Sequence, residues 1–227
     1  MSESIEVRIG VSFKSQALLL EALTHRSYLN ERPDWKYPHN ERLEYLGDAV
    51  LELAVSEHLF ARFPQFPEGQ LTVLRAALVN YQMLAKIAVA INLNDSILMS
   101  RGESRDTGKA REVILANAME ALIGAMYLDQ GFEVVRQFIG RVLLIHTDSI
   151  LATKSYKDPK SELQEIVQEK LKVTPTYKVL EETGPAHQRM FTVGVFFTHD
   201  VVAEGRGASK QEAETEAAKA ALALQKK

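Results

Sequence analysis

The chain of 227 residues contains no cysteine. That absence excludes disulfides and thiolate metal sites, and it accords with a reducing compartment, for which the expectation is the cytoplasm. No stretch approaches about 18 consecutive apolar residues, so no membrane partner is expected. The first ten residues, MSESIEVRIG, hold two Glu and no apolar run, which is not the pattern of a signal peptide. Excess positive charge is missing too: 27 Lys+Arg stand against 30 Asp+Glu, a net charge of −3. Coating nucleic acid by bulk charge is therefore excluded, and contact with phosphates has to come from individually placed groups.

What is present is an ordinary globular composition, 46% hydrophobic, suited to one or two domains. Apolar periodicity predicts helices over 16–24, 41–62, 71–91, 112–128 and 132–150. Phe63-Pro64, Phe66-Pro67 and Gly69 punctuate them. The polar segment 100–112 predicts a loop. Its Arg101, Arg105, Lys109 and Arg111 either face solvent or track a phosphate backbone. After a polar linker, ATKSYK (152–157), the texture changes. Asp158 as N-cap and Pro159 at the first helical position open a helix over 158–171. Strand-like runs follow at 176–182, 190–197 and 201–205, and Ser209-Lys210-Gln211-Glu212 reads as a capping box for a last helix. Its apolar stripe is Ala213, Ala217, Ala220, Ala221 and Leu224. The expected fold class is mainly α: an all-helical domain at 1–151, the linker at 152–157, and a small α-β-β-β-α (α+β) domain at 158–227. Residues 157–227 hold 11 Lys+Arg and 11 Asp+Glu, so this second domain is not a polycation either.

The most informative segment is NERLEYLGDAV (40–50). Glu41, Glu44 and Asp48 are spaced i, i+3, i+7, and a helix places them on a stripe about 60° wide and about 10 Å long. Leu43, Leu46, Val50, Leu53 and Ala54 form an apolar stripe behind them. An acidic stripe opposite an apolar one is ordinarily just the wet face of a helix. The second acidic segment, EVILANAMEALIGAMYL (112–128), shifts the balance. It is apolar almost all round, which predicts a buried helix, yet Glu120 stands in its middle with Asn117 one turn earlier. A buried carboxylate without a partner is costly, so Glu120 calls for a partner or a cation. Hard divalent ions take oxygen ligands, and the two segments together make a cage at a helix–helix junction plausible.

NERLEYLGDAVLEL closely resembles the signature segment of ribonuclease III, and ILANAMEALIGAMYLD resembles that family's second acidic motif. HRSYLNE (25–31) and EGQLTVLRAALV (68–79) stand in the matching order, so the resemblance covers nearly the whole chain. It implies a homodimeric endoribonuclease that cleaves double-stranded RNA by metal-activated water, with Mg²⁺ or else Mn²⁺. The products would carry 5′-phosphates and short 3′ overhangs, and the targets would be ribosomal and other RNA precursors. Asp48 and Glu120 would be the catalytic carboxylates, Glu44, Asp48, Asn117 and Glu120 the metal shell, and Glu41 and Glu68 acidic neighbours. The family usually has Asp where this chain has Asn117. An amide keeps an oxygen for a hard cation but removes one negative charge. The alternative is accordingly a catalytically weakened double-stranded-RNA-binding protein.

The C-terminal domain resembles a double-stranded-RNA-binding domain, on the strength of PKSELQE, the turn GPAH and GRGASKQEAE. Such domains read A-form shape across two minor grooves and the phosphates between. The resemblance implies that Ser161, Gln164, Glu165 and Gln168 enter one minor groove and His187 the next. Ser209 and Lys210 would meet phosphates at a helix start. Gln211 stands where the family often has a second Lys, and Arg206 or Arg189 is the expected substitute.

Overall fold

In chain order the helices of the computed structural model are α1 (Ile5–Ile9), α2 (Gln16–Ala22), α3 (Arg26–Glu31), α4 (Glu41–Arg62), α5 (Glu68–Val79), α6 (Tyr81–Ala90), α7 (Arg101–Arg105), α8 (Lys109–Gln130), α9 (Phe132–Val142), α10 (Thr147–Thr153), α11 (Pro159–Leu171) and α12 (Lys210–Gln225). Strands β1 (Thr176–Thr183), β2 (Met190–Phe197) and β3 (Asp200–Gly207) lie between the last two. The structure describes residues 4–153, 158–185 and 188–225. The chain divides into two units, Met1–Tyr156 and Lys157–Lys227. The linker expected at 152–157 lies partly outside the described residues; Ala152 and Thr153 still belong to α10, where the Thr153 hydroxyl donates to Ser149 O.

The first unit is built around α4 and α8. The apolar run of α8 is buried as its composition predicts, from Ile114 through Met126 on nearly every side. The two helices cross where Gly47 meets Gly124. A Cβ on Gly47 would lie 1.8 Å from the carbonyl oxygen of Glu120, and one on Gly124 2.2 Å from that of Leu43. Backbone rests on backbone, a separation only glycine permits. The buried stripe of α4 is Leu43, Gly47, Val50, Leu51, Ala54, Val55 and Leu59. Leu53, expected in the core, is 58% exposed. The stripe is centred nearer Gly47 and Leu51 than the spacing of leucines predicts, which turns Leu53 to the flank.

Three further expectations change. The helix predicted over 71–91 is two helices, broken at Asn80, whose backbone is extended. Its side chain donates to Ala77 O at 2.9 Å and accepts from Met83 N at 2.9 Å, so it closes α5 and caps α6 at once. Apolar periodicity runs through the break because both helices bury a face. The helix over 132–150 is likewise α9, a 3₁₀ turn (Leu144–His146) and α10. The loop predicted at 100–112 is mostly helical: Ser100 Oγ caps α7 by accepting from Glu103 N, and α8 begins at Lys109 after Gly108 at φ 78°. Among the described residues no single helix is long and apolar enough to cross a membrane.

The second unit is an antiparallel sheet in the order β1-β2-β3 covered on one face by α11 and α12. Alternation in β2 sends Val193, Val195 and Phe197 inward. The packed stripe of α12 is Ala213, Ala217, Ala218, Ala221 and Leu222. The predicted stripe ended at Leu224, which is 54% exposed; helical period carries the buried face through Leu222 instead. Gly205 of β3 allows the closest approach, since a Cβ there would lie 2.1 Å from Ala217 N. Asp158 caps α11 through Ser161 N at 3.0 Å. Ser209 Oγ accepts from Glu212 N at 3.1 Å, while Glu212 accepts from the amide of Ala208, one residue before the cap.

The crossing yields a direct test. Gly47→Ala or Gly124→Ala forces a methyl group into a backbone carbonyl, an overpacking that costs about 3 kcal/mol or more. Urea denaturation should show that loss, and loss of the same order at both positions, although neither side chain carries a function.

Candidate active site

The glycine crossing decides where the acidic side chains of α4 and α8 meet. Glu44 and Asp48 flank Gly47, and Glu120 is the residue whose carbonyl Gly47 touches. Asn117 and Glu120 lie one turn apart on α8 and are half-buried. Burial, and then the charges of Asp48 and Glu44, push the Glu120 carboxyl up to about 7. Burial and the nearby charge of Glu41 also raise Glu44, against the opposing pull of a hydrogen bond from the Asn117 amide and of the Arg26 charge. Glu44, Asp48, Asn117 and Glu120 thus act on one another at one junction, with Glu41 at its edge. An Asp at position 117 could not donate to Glu44 when ionised; the amide does.

The junction is not a finished cage. Among the described residues no three His, Cys, Asp or Glu side chains are arranged to hold an ion. Like charges repel, and in the metal-free protein their repulsion favours carboxylates that stand apart. The donor set itself is all oxygen, three carboxylates and one amide on two long helices, which fits a hard divalent cation.

A cleft of about 620 Å³ opens beside this cluster, with His25, Arg26, Glu41, Glu44, Glu103 and Asn117 on its walls. Arg26 pairs with Glu41 at 3.5 Å. His25 caps α3, and its Nδ1 shares a 2.7 Å hydrogen bond with the Ser27 hydroxyl; burial lowers its pKa, against the pull of Glu103. His25, Arg26 and Glu103 join the cleft without any role expected from sequence. The segment HRSYLNE was the signal for the first two. Glu68 departs from expectation: it opens α5, is exposed, and accepts from the Thr72 hydroxyl of its own helix at 2.9 Å. It is not on the walls of the cleft beside Glu44 and Asn117.

In the second unit Ser161, Gln164, Glu165 and Gln168 are exposed along one face of α11. Ser161 is also held by its hydroxyl to Asp158 at 2.9 Å. Lys210 is exposed at the start of α12, its Nζ 5.8 Å from the centre of the Phe191 ring. Ser209 serves the cap described above. His187 lies outside the described residues. The two expected substitutes for a second Lys differ in their surroundings. Arg189 is paired with Glu182 at 2.9 Å. Arg206 pairs with Thr192 in the ladder, next to Gly205, and so projects from the sheet face opposite α12.

Comparison with known proteins fits this geometry. Residues 15–147 match the family model described as ribonuclease-III-like, and residues 159–225 match the double-stranded RNA binding motif. A Ribonuclease 3 of Desulforamulus reducens is 45% identical over 218 residues, 96% of this chain and 89% of the relative. A Ribonuclease 3 of Bdellovibrio bacteriovorus is 44% identical over 226 residues, 99% and 96%. Among solved structures, a nuclease domain of ribonuclease III from Campylobacter jejuni aligns with a TM-score of 0.56 at 46% identity, covering 62% of this chain and 94% of that one. That structure concerns flexibility in a region involved in its dimer formation.

The electrostatics of Glu120 set a pH dependence. Its folded pKa of about 7 exceeds the ordinary value of 4.5. Its contribution to stability is therefore whole below about pH 4.5 and is lost as pH rises through 7. Metal-free Glu120→Gln should be more stable than the parent above pH 7, by about 1–2 kcal/mol after allowing for partial solvent screening. The gain should vanish near pH 4. Urea titrations in EDTA at the two pH values measure it, and a gain independent of pH would contradict the assignment.

Proposed function

From the premise that this chain belongs to the ribonuclease III family, as an endonuclease with a double-stranded RNA binding motif, we propose that Glu44, Asp48, Asn117 and Glu120 form its divalent-metal site and that it cleaves RNA duplexes hydrolytically. The observation that carries this is the meeting of Glu120 with Glu44 and Asp48 at the glycine crossing, where burial and the charges of Asp48 and Glu44 raise the proton affinity of Glu120. That environment favours either a proton or a cation, and at neutral pH a hard cation such as Mg²⁺, or Mn²⁺, is the better occupant. When bound, such an ion polarises the scissile phosphate and acidifies water. The chain's own part is placement. Asp48 and Glu120 are the catalytic carboxylates, one from each helix. The Asn117 amide, by hydrogen bonding to Glu44, opposes the rise in proton affinity that burial and Glu41 impose on it. Arg26 balances Glu41 at the cleft edge, and His25 shapes the wall.

The products are 5′-phosphates with short 3′ overhangs, and the substrates include ribosomal and other precursor RNAs, by family analogy. The setting is the cytoplasm, where RNA duplexes are made. The protein acts as a homodimer. Supporting that reading, Tyr45 (83% exposed), Leu53 (58%) and Phe60 (75%) lie on one side of α4, a run of large apolar side chains that a symmetric partner would cover. In the second unit the exposed face of α11 and the start of α12 supply the duplex contacts.

A long RNA duplex incubated with Mg²⁺ should be cut, and EDTA should stop it. Asn117→Asp exchanges the amide for a charge. It should raise cleavage or lower the Mg²⁺ needed for half-maximal rate, and it should lower metal-free stability. Duplex binding without cleavage by the parent, restored by Asn117→Asp, would identify the chain as the catalytically weakened binder, a reading that the neutral Asn117 favours.

Lys210→Ala removes an exposed ammonium that lies over the Phe191 ring, 5.8 Å from its centre. Duplex affinity should fall several-fold at moderate salt, and the slope of log affinity against log salt should shrink by about one. The melting temperature should hardly move. An unchanged salt slope would show that Lys210 meets no phosphate.

A further inference from the structure

Asparagine is among the preferred helix N-caps because its side-chain oxygen accepts from the exposed first-turn amides. Asn40 occupies that place on α4 and makes no side-chain capping bond. It is turned inward instead and is 3% exposed. Its Nδ2 donates to Ala22 O at 3.2 Å, its backbone amide donates to Thr24 O at 2.9 Å, and its carbonyl accepts from the amide of Glu44 at 2.9 Å. Among the described residues the buried polar side chains are Thr24, Asn40 and Thr147; two of the three sit in this one place.

Thr24 carries the knot further. Its hydroxyl donates to Leu20 O at 2.6 Å and accepts the indole N–H of Trp35, the only tryptophan, at 3.2 Å. The Trp35 ring stands edge-on to Tyr28 and Tyr37. On the other side, His25 N donates to Leu98 O and Leu98 N to Leu23 O. The turn after α2, the segment before α7 and the start of α4 are therefore tied together by buried hydrogen bonds. Each leads within a few residues to a wall of the acidic cleft: His25 and Arg26, Glu103, and Glu41 and Glu44.

We propose that Asn40 is a positioning residue for the acidic site. By giving its amide to Ala22 rather than to its own helix, it sets the rotation and axial position of the first turn of α4. Glu44 is then delivered to Asn117 and Glu41 to Arg26. This rests on the reading of Glu44 as a site residue. The inference separates two roles. A residue that merely starts a helix can be replaced by any good N-cap, whereas a residue that registers the helix against Ala22 cannot.

Asn40→Ser and Asn40→Asp make the test in the full-length protein. Both are strong N-caps. The serine hydroxyl is too short to span to Ala22 O, and the aspartate has no donor for it. Both variants should lose kcat for duplex cleavage by about tenfold to a hundredfold, the cost of small misplacement at a reacting centre. KM should change less than about twofold, the readout that a general structural loss would not spare. Deuterium uptake at residues 41–48 should rise while that at 114–126 stays as in the parent. If one variant fails to fold, the other decides. Either folded variant with parent kcat and parent exchange at 41–48 overturns the positioning role. Glu44→Gln is the control: parent activity there removes the reading of Glu44 itself, whereas an inactive Glu44→Gln beside fully active Asn40 variants removes only the role of Asn40.

Discussion

Everything functional in the first unit hangs on the contact of two peptide backbones. Where Gly47 and Gly124 meet, no side chain separates α4 from α8, and the distance between the helix axes is set by main-chain atoms. Side chains repack when their neighbours change; backbones in contact do not have that freedom. The separation between Glu44 and Asp48 on one helix and Asn117 and Glu120 on the other is thereby held by the least adjustable contact a protein can make. The broad apolar surface of α8 secures the same arrangement from behind, with Leu122, Ile123 and Met126 fully enclosed.

That rigidity holds together groups that repel. The fold spends hydrophobic burial to keep three carboxylates near one another, and Glu120 shows the strain most clearly, with a carboxyl that titrates near neutrality. Asn117 moderates it. As a donor to Glu44 it eases the junction, where an ionised Asp would add a fourth negative charge. The chain has thus exchanged some electrostatic pull on a cation for an apo-state that is easier to assemble. Arg26 contributes in the same sense from the rim.

Much of this was legible in the residues. The i, i+3, i+7 acidic stripe and the lone Glu in an apolar run required only helix geometry and the cost of burying charge. The two-part organisation was legible from a change of periodicity at the linker. Other features depend on contacts that periodicity does not register. Asn80 breaks one apolar run into two helices through bonds its side chain makes in both directions. Segment 100–112 is polar because α7 is an exposed helix, not because it is a loop. Glu68 looked equivalent to Glu41 in sequence, and only tertiary placement separates them. Asn40 reads as a cap in one dimension and is a cross-link in three.

The second unit carries a different lesson in the packing of α12 on β3. Gly205 and Gly207 leave no room above them, and the helix answers with alanines at 213, 217, 218 and 221. Such an interface has no slack for drift, since nearly any inherited change there enlarges a side chain. The outward face of α11, from Ser161 to Gln168, takes no part in that packing. Variation in this module is thereby channelled onto the surface that would touch a duplex. A lineage can retune what the domain grips, residue by residue, without renegotiating how the domain stands up.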